Sequence, residues 1–223
     1  VEAIDLLVER LAGLMHSRNQ NPRLFKFIEH PYERISTHLL RSQQNMANTF
    51  VLLSESGKAL LIDYGYDLMT GMPEFTQQYG RRPWLYSIPT LKRQFGIQKI
   101  EAVIPTHYHD DHVAGINLLR RVEGAQVWAA ENFSDILEAP ERYDLPCLWY
   151  DPIPVERKLA LNQPFQWEEY TLTVYGLPGH TLYAAAIGFE VDGVRVLATG
   201  DQYAGNSGME WNYVYQNRFR SED

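Results

Sequence analysis

Apolar residues at Ile4, Leu7, Leu11 and Leu14 or Met15 recur at the spacing of one helix face, so residues 2–16 are expected to form an amphipathic helix. Residues 19–22, Asn-Gln-Asn-Pro, read as its exit. Residues 23–46 follow neither a helical nor an alternating period. From Asn48 the pattern becomes that of strands: Asn-Thr-Phe-Val-Leu-Leu-Ser-Glu, a tight turn at Ser-Gly-Lys, then Ala-Leu-Leu-Ile-Asp-Tyr-Gly. Residues 64–89 mix proline, glycine and aromatics, Trp84 and Tyr86 among them, as in a long excursion. Such an excursion either walls a pocket or is simply pinned by its own aromatics.

Residues 90–96 predict a short helix closed by Gly96, 100–105 a buried strand, 116–122 a helix and 126–130 another strand. Residues 131–157 hold four prolines and read as helix, then loop. Between 165 and 200, short apolar runs separated by turns such as Asp192-Gly193 predict consecutive strands. Residues 210–218 read as the start of a further helix. Alternating strands and helices followed by clustered strands describe one sheet-rich α/β domain over 23–223, preceded by a helical segment over 1–22.

Composition narrows the function classes. A 45% hydrophobic and 22% charged chain is an ordinary globular one. The net charge of −8 argues against broad contact with nucleic acid or an anionic membrane, and no apolar run is long enough to span one. Cys147 is the only cysteine, so neither an intramolecular disulfide nor a multi-thiolate zinc site can form. It is expected to be a small buried apolar residue. The first residue is Val1, as in a processed or excised start. The compartment stays open.

Residues 106–112, Thr-His-Tyr-His-Asp-Asp-His, carry the chemistry. His107 and His109 share the parity of an extended segment, Asp111 continues it, and His112 breaks it. That implies a tight turn where the preceding strand gives way to a helix, able to fan its side chains around a point. Imidazole and carboxylate without thiolate suit Zn(II), and also Mn(II) or Fe(II). Two further strand ends answer the cluster: His180 in Gly-Leu-Pro-Gly-His-Thr and Asp201 in Ala-Thr-Gly-Asp-Gln. His16, His30 and His38 have no partner spacing and are expected to be surface or packing residues.

In that order, His-Tyr-His-Asp-Asp-His, Pro-Gly-His-Thr and Thr-Gly-Asp resemble the metallo-β-lactamase superfamily, from about Asn48 through Leu-Leu-Ile-Asp-Tyr-Gly at 60–65 to about Gln202. The resemblance implies a four-layer αββα sandwich with a one- or two-metal site at one edge of its sheets. It also implies that His107, His109 and His180 bind a first metal, that Asp111 and His112 bind a second, and that Asp201 bridges them. Asp63 becomes a buried structural residue beside the site, while Tyr108 and Asp110 occupy variable positions without a ligand role. The family completes its second site with a further downstream histidine, and residues 202–223 contain none. The expectation is therefore a piece of a longer protein with its C-terminal elements missing and further domains outside it. A natural variant with five ligands or a single metal is the alternative.

The implied activity is that of a metal-dependent hydrolase acting on a small ester, thioester, lactone or amide, in the manner of the glyoxalase-II-like and lactonase-like branches. Asp201 would position the attacking hydroxide, and Asp111 would accept a hydrogen bond from it. One or two Zn(II) ions are the expected cofactor and a small molecule the expected substrate. No Gly-x-Ser-x-Gly elbow and no phosphate-cradling glycine loop competes with this reading. A non-catalytic regulatory or binding module that keeps the sandwich and a metal is the rival.

Overall fold

The computed structural model describes residues 30–43, 45, 47–65 and 87–202. The helix expected at 2–16, the leading segment 1–22, most of the excursion at 64–89 and the helix expected at 210–218 lie outside the described residues.

The first sheet runs in chain order: β1 (Tyr32–Arg34), β2 (Leu39–Ser42), β3 (Phe50–Leu53), β4 (Lys58–Ile62), β5 (Lys99–Ile104), β6 (Gln126–Ala130) and β7 (Arg157–Leu159). The pairs from β1 to β4 are antiparallel and those from β4 to β7 parallel. Parallel neighbours need a crossover, and helices supply each one. These are α1 (Ile88–Phe95) before β5, α2 (Asp110–Val113) and α3 (Ile116–Glu123) before β6, and α4 (Ser134–Glu138) before β7. Helices α1 and α3 both stop on a glycine in the left-handed conformation, Gly96 and Gly124, each at φ 68°. Buried from both sides, β4 and β5 carry unbroken apolar runs in Ala59–Ile62 and Ala102–Ile104.

The second sheet, antiparallel throughout, is β8 (Pro164–Trp167), β9 (Tyr170–Gly176), β10 (Ala185–Val191) and β11 (Val194–Ala198), ordered β11-β10-β9-β8. Val191 pairs with Val194 around Asp192 and Gly193, at φ 51° and 76°, the two-residue turn that Asp-Gly favours. Leu52 and Leu60 of the first sheet and Leu172 and Ile187 of the second are fully buried in one continuous core. The architecture is a two-sheet α/β sandwich of the expected αββα type, with α3 packed against β5 and β6 of the first sheet.

Three short strands escaped the apolar pattern: β1, β2 and β7. Cys147 is a correction. It is exposed rather than buried, at φ 55°, in a turn whose carbonyl accepts the N–H of Asp110 at 2.8 Å. The neighbouring Leu148 pairs with His109 in an isolated bridge, so backbone hydrogen bonding placed this turn, and side-chain hydrophobicity did not.

The sheets are stitched at both rims. At the rim below the C-terminal end of β5, the N–H of Ala185 donates to Thr106 O at 2.8 Å. At the opposite rim Tyr170 donates its hydroxyl to Leu53 O at 2.7 Å, and Glu169 accepts from Ser54 Oγ and Glu55 N. There His38 bridges the sheets: its Nδ1 lies 2.6 Å from Asp192 and its Nε2 2.9 Å from Glu55. His30, exposed, places its Nδ1 2.9 Å from Gln94 Nε2.

The hydrogen bond to Asp192 raises the His38 pKa above its ordinary 6.5, with Glu55 adding to it. Burial pushes Asp192 up, but the hydrogen bonds it accepts outweigh this and bring it down to about 2. A raised imidazole stabilises the fold fully below pH 6.5, and the contribution fades as pH climbs through the folded value. The lowered carboxylate contributes above its ordinary 3.8 and fades toward 2. Both partners are partly exposed, so the expected gain is about 0.5 kcal/mol, largest between roughly pH 4 and 6.5. Denaturant midpoints measured across pH check this: His38→Gln should flatten the alkaline limb and leave the core transition otherwise unchanged.

Candidate metal centre

Every polar group of the site hangs from a strand end at one rim. β5 stops at Ile104, and the chain turns through Thr106 and His107 to His109, which sits at φ −62°, ψ 145° as the N-terminal flanking residue of α2. The parity break at His112 thus marks a helix start, as the sequence implied. The turn after β4 is bound to this segment: Tyr64 N donates to His112 O at 2.8 Å, and Gly115 N donates to Tyr64 O at 3.0 Å. Gly65 is in closer contact still, since a Cβ there would stand 1.6 Å from Asp111 O. Across the sandwich, the turn after β9 carries His180 and the turn after β11 carries Asp201. Gly200, at φ 56°, lets that last turn pass Thr106, whose Oγ1 would lie 2.6 Å from a Cβ at residue 200.

Asp63, buried and left-handed at φ 61°, organises the centre. Its Oδ1 accepts Thr106 N at 2.7 Å, and its Oδ2 lies 2.9 Å from both Thr106 Oγ1 and His112 Nδ1. Thr106 gives its hydroxyl hydrogen to Asp63 and accepts one from His107 Nδ1 at 3.1 Å. This network places a proton on Nδ1 of His107 and of His112, and it turns both Nε2 atoms inward.

Four imidazoles converge there, all nearly sealed from solvent: His107 at 1%, His109 at 3%, His112 at 1% and His180 at 6% exposure. The ring of His107 lies 4.5 Å from that of His109, 4.1 Å from that of His112 and 5.0 Å from that of His180, centroid to centroid. His180 Nε2 is 3.0 Å from His109 Nδ1. Two groups of ligand atoms each fall within 4.8 Å of one another: His107, His109 and His180, and His107, His112 and Asp201. Asp201 places one carboxylate oxygen 3.1 Å from His112 Nε2 and the other 3.7 Å from His180 Nε2. Asp111 lies at the margin, 3.7 Å from His112 Nε2, outside both groups.

Burial, reinforced by His112, His109 and His180, holds His107 well below the ordinary imidazole range, so its ring is neutral. Burial also pulls on His112, but Asp63 and Asp201, with Asp111, overcome it and hold that ring well above 6.5. Burial raises the Asp111 carboxyl, with Asp201 and Asp110 adding to the effect. For Asp201 burial works in the same direction and loses to His112, His180 and His109, which lower it.

The centre fits a cation. His107 Nε2 is a buried acceptor with no hydrogen-bond partner among the described residues, aimed at the other imidazoles. A buried polar atom left in that state costs on the order of 1–3 kcal/mol unless something binds it. Nitrogen and carboxylate ligands without sulfur match borderline divalent ions. Beside His112 and Asp201 opens a cavity of about 230 Å³, lined on its apolar side by Phe50, Ile62, Phe189 and Val196.

Of the six residues singled out from sequence as ligands, five share these two groups and Asp111 stands next to them. Sequence reasoning overlooked Thr106 and Gln202. Thr106 occupies the first position of the histidine segment and could have been noticed there; nothing local marks Gln202.

The profile of the metallo-beta-lactamase superfamily matches residues 43–208. The chain belongs to that superfamily. Among curated relatives, a hydroxyacylglutathione hydrolase of Albidiferax ferrireducens is 32% identical over 110 residues, 49% of this chain and 36% of that protein. One from Pseudomonas putida is 30% identical over 104 residues, 46% of this chain and 33% of that protein. The aligned part is thus about a third of the length of these relatives. Solved superfamily structures share the fold. The subclass B3 enzyme BJP-1 of Bradyrhizobium japonicum gives a TM-score of 0.56 at 17% identity, covering 75% of this chain and 60% of that one. FEZ-1 of Legionella gormanii gives 0.57 at 14% identity, covering 75% and 61%.

Proposed function

We propose that this superfamily member is a metal-dependent hydrolase of a small thioester or ester, with His107, His109 and His180 holding one divalent ion and His112, Asp201 and Asp111 available to a second. Zinc is the ion that this ligand set favours. The observation that carries the reading is the triad of sealed imidazoles whose ligand atoms lie within 4.8 Å of one another. The thioester preference draws on the hydroxyacylglutathione hydrolase relatives.

A cation held there supplies an acidified water and a Lewis acid for the substrate carbonyl. The residues do the rest. Asp63 and Thr106 fix the rings of His107 and His112, so that no reorganisation is needed when substrate arrives. Asp201, a member of the second ligand group that also lies 3.7 Å from His180 Nε2, would orient the attacking water by accepting its hydrogen bond. Asp111, on the open margin, would accept a hydrogen bond from the attacking water and take up its proton. The apolar lining of Phe50, Ile62 and Phe189 offers a dry neighbour for the acyl part of a substrate.

Elemental analysis of the purified chain should find at least one divalent ion per chain, and His107→Ala with His109→Ala should abolish it. An activity panel should then show turnover of a hydroxyacylglutathione thioester above that of a lactone or β-lactam. Unchanged metal content in the double variant would sink the ligand assignment. Metal retained with no turnover on any substrate would leave the binding-module reading standing instead.

A further inference from the structure

Resting on that metal reading, we infer that Gln202 is a positioning residue for the centre, locking the His180 turn to the Asp201 turn. These turns leave β9 at Gly176 and β11 at Ala198, strands that are not neighbours, because β10 lies between them. Ladder hydrogen bonds therefore cannot hold one turn against the other. Gln202 reaches across instead: its Oε1 accepts the N–H of His180 at 2.9 Å. Its own N–H is turned back to Thr199 O at 3.3 Å, closing the loop that presents Asp201.

The glycine preceding His180 reports how tight this lock is. A Cβ at residue 179 would sit 2.3 Å from both Nε2 and Oε1 of Gln202, so the edge of the amide is pressed against bare backbone. Gly179 N in turn donates to Thr181 O at 3.1 Å, which makes the His180 turn a compact unit. One side-chain amide thus braces two proposed ligands, with His180 Nε2 3.7 Å from an Asp201 carboxylate oxygen. Groups that orient a ligand from behind typically contribute about 10–100-fold to metal affinity.

The test uses the chain stripped with a chelator and titrated with Co(II), followed by visible absorption and by chelator competition. Gln202→Met keeps the length and removes the acceptor; Gln202→Glu keeps an acceptor oxygen. Gln202→Met is expected to weaken Co(II) binding about 10-fold or more and to alter the ligand-field bands, with the thermal midpoint of the stripped chain close to wild type. Gln202→Glu should retain most of the affinity and the wild-type spectrum, a rescue that a purely space-filling role would not produce. Gly179→Ala, which drives the amide away, should reproduce the loss and carries the test if Gln202→Met does not fold. Wild-type affinity in Gln202→Met, or equal loss in Gln202→Glu, overturns the inference while the metal reading stands. Wild-type chain that binds no Co(II), like His107→Ala, overturns both.

Discussion

Asp63→Ala is expected to destabilise the chain by about 3–5 kcal/mol, the scale for removing one partner of a buried ion pair. Three donors lose their acceptor together: Thr106 N, Thr106 Oγ1 and His112 Nδ1, all buried. All three are nearly sealed from solvent in the intact fold, Thr106 and His112 each being only 1% exposed. The backbone adds to the loss, since residue 63 sits at φ 61°, where aspartate and asparagine are tolerated and alanine is strained. Asp63→Asn separates the two contributions. It keeps the backbone tolerance and one acceptor for Thr106 N, but its amide cannot serve both Thr106 Oγ1 and His112. An intermediate loss is expected for it. Denaturant midpoints at constant slope measure both variants. A loss below about 1 kcal/mol for Asp63→Ala would mean that the network contributes orientation without stability.

Gly65→Ala is expected to cost about 3 kcal/mol, the upper end for overpacking, and to displace the ligand segment. The new methyl would stand 1.6 Å from Asp111 O and 2.2 Å from Asp111 C. Those are backbone atoms, so no rotamer change relieves the clash. Hydrogen bonds from Tyr64 N to His112 O and from Gly115 N to Tyr64 O prevent the two segments from simply parting. The strain would pass into Asp111 and His112. Gly96→Ala is the control: it has the left-handed φ of 68° with nothing within 4 Å, so only conformational strain of about 1 kcal/mol applies. Thermal midpoints of the two variants decide the point. If Gly65→Ala costs no more than Gly96→Ala, the close approach to Asp111 does not constrain the fold.

The elements that sequence revealed are those whose burial is periodic or continuous: β3 to β6, α1, α3 and the hairpins from β8 to β11. The strands it concealed are short and put few residues into the core, among them Tyr32, Leu39, Leu40 and Leu159. β7 reads Arg-Lys-Leu, with only Leu159 buried, and exists because Trp128 to Ala130 offer it a parallel edge. β1 and β2 span three and four residues around a turn, too short for any period to show. Cys147 was misread for a related reason: residue type suggested burial, while the bond from Asp110 N and the bridge from Leu148 to His109 set its place. In the centre, the proposed ligands were legible because three histidines and two aspartates crowd seven positions. Their supports were not. Thr106, Gly65 and Gln202 act on residues that sequence separation hides, across 43, 46 and 22 positions.

The centre is assembled from turns at one rim, each leaving a different strand, and two of them anchor in the core through Tyr64 and Tyr108. Such a scaffold decouples the inheritance of a fold from the inheritance of a reaction: a turn can lengthen or change its chemistry without shifting a strand register. Relatives named for hydroxyacylglutathione hydrolysis and neighbours named as β-lactamases share this sandwich, the latter at only 14–19% identity. Divergence of that depth is what a site carried on turns rather than on strand interiors permits.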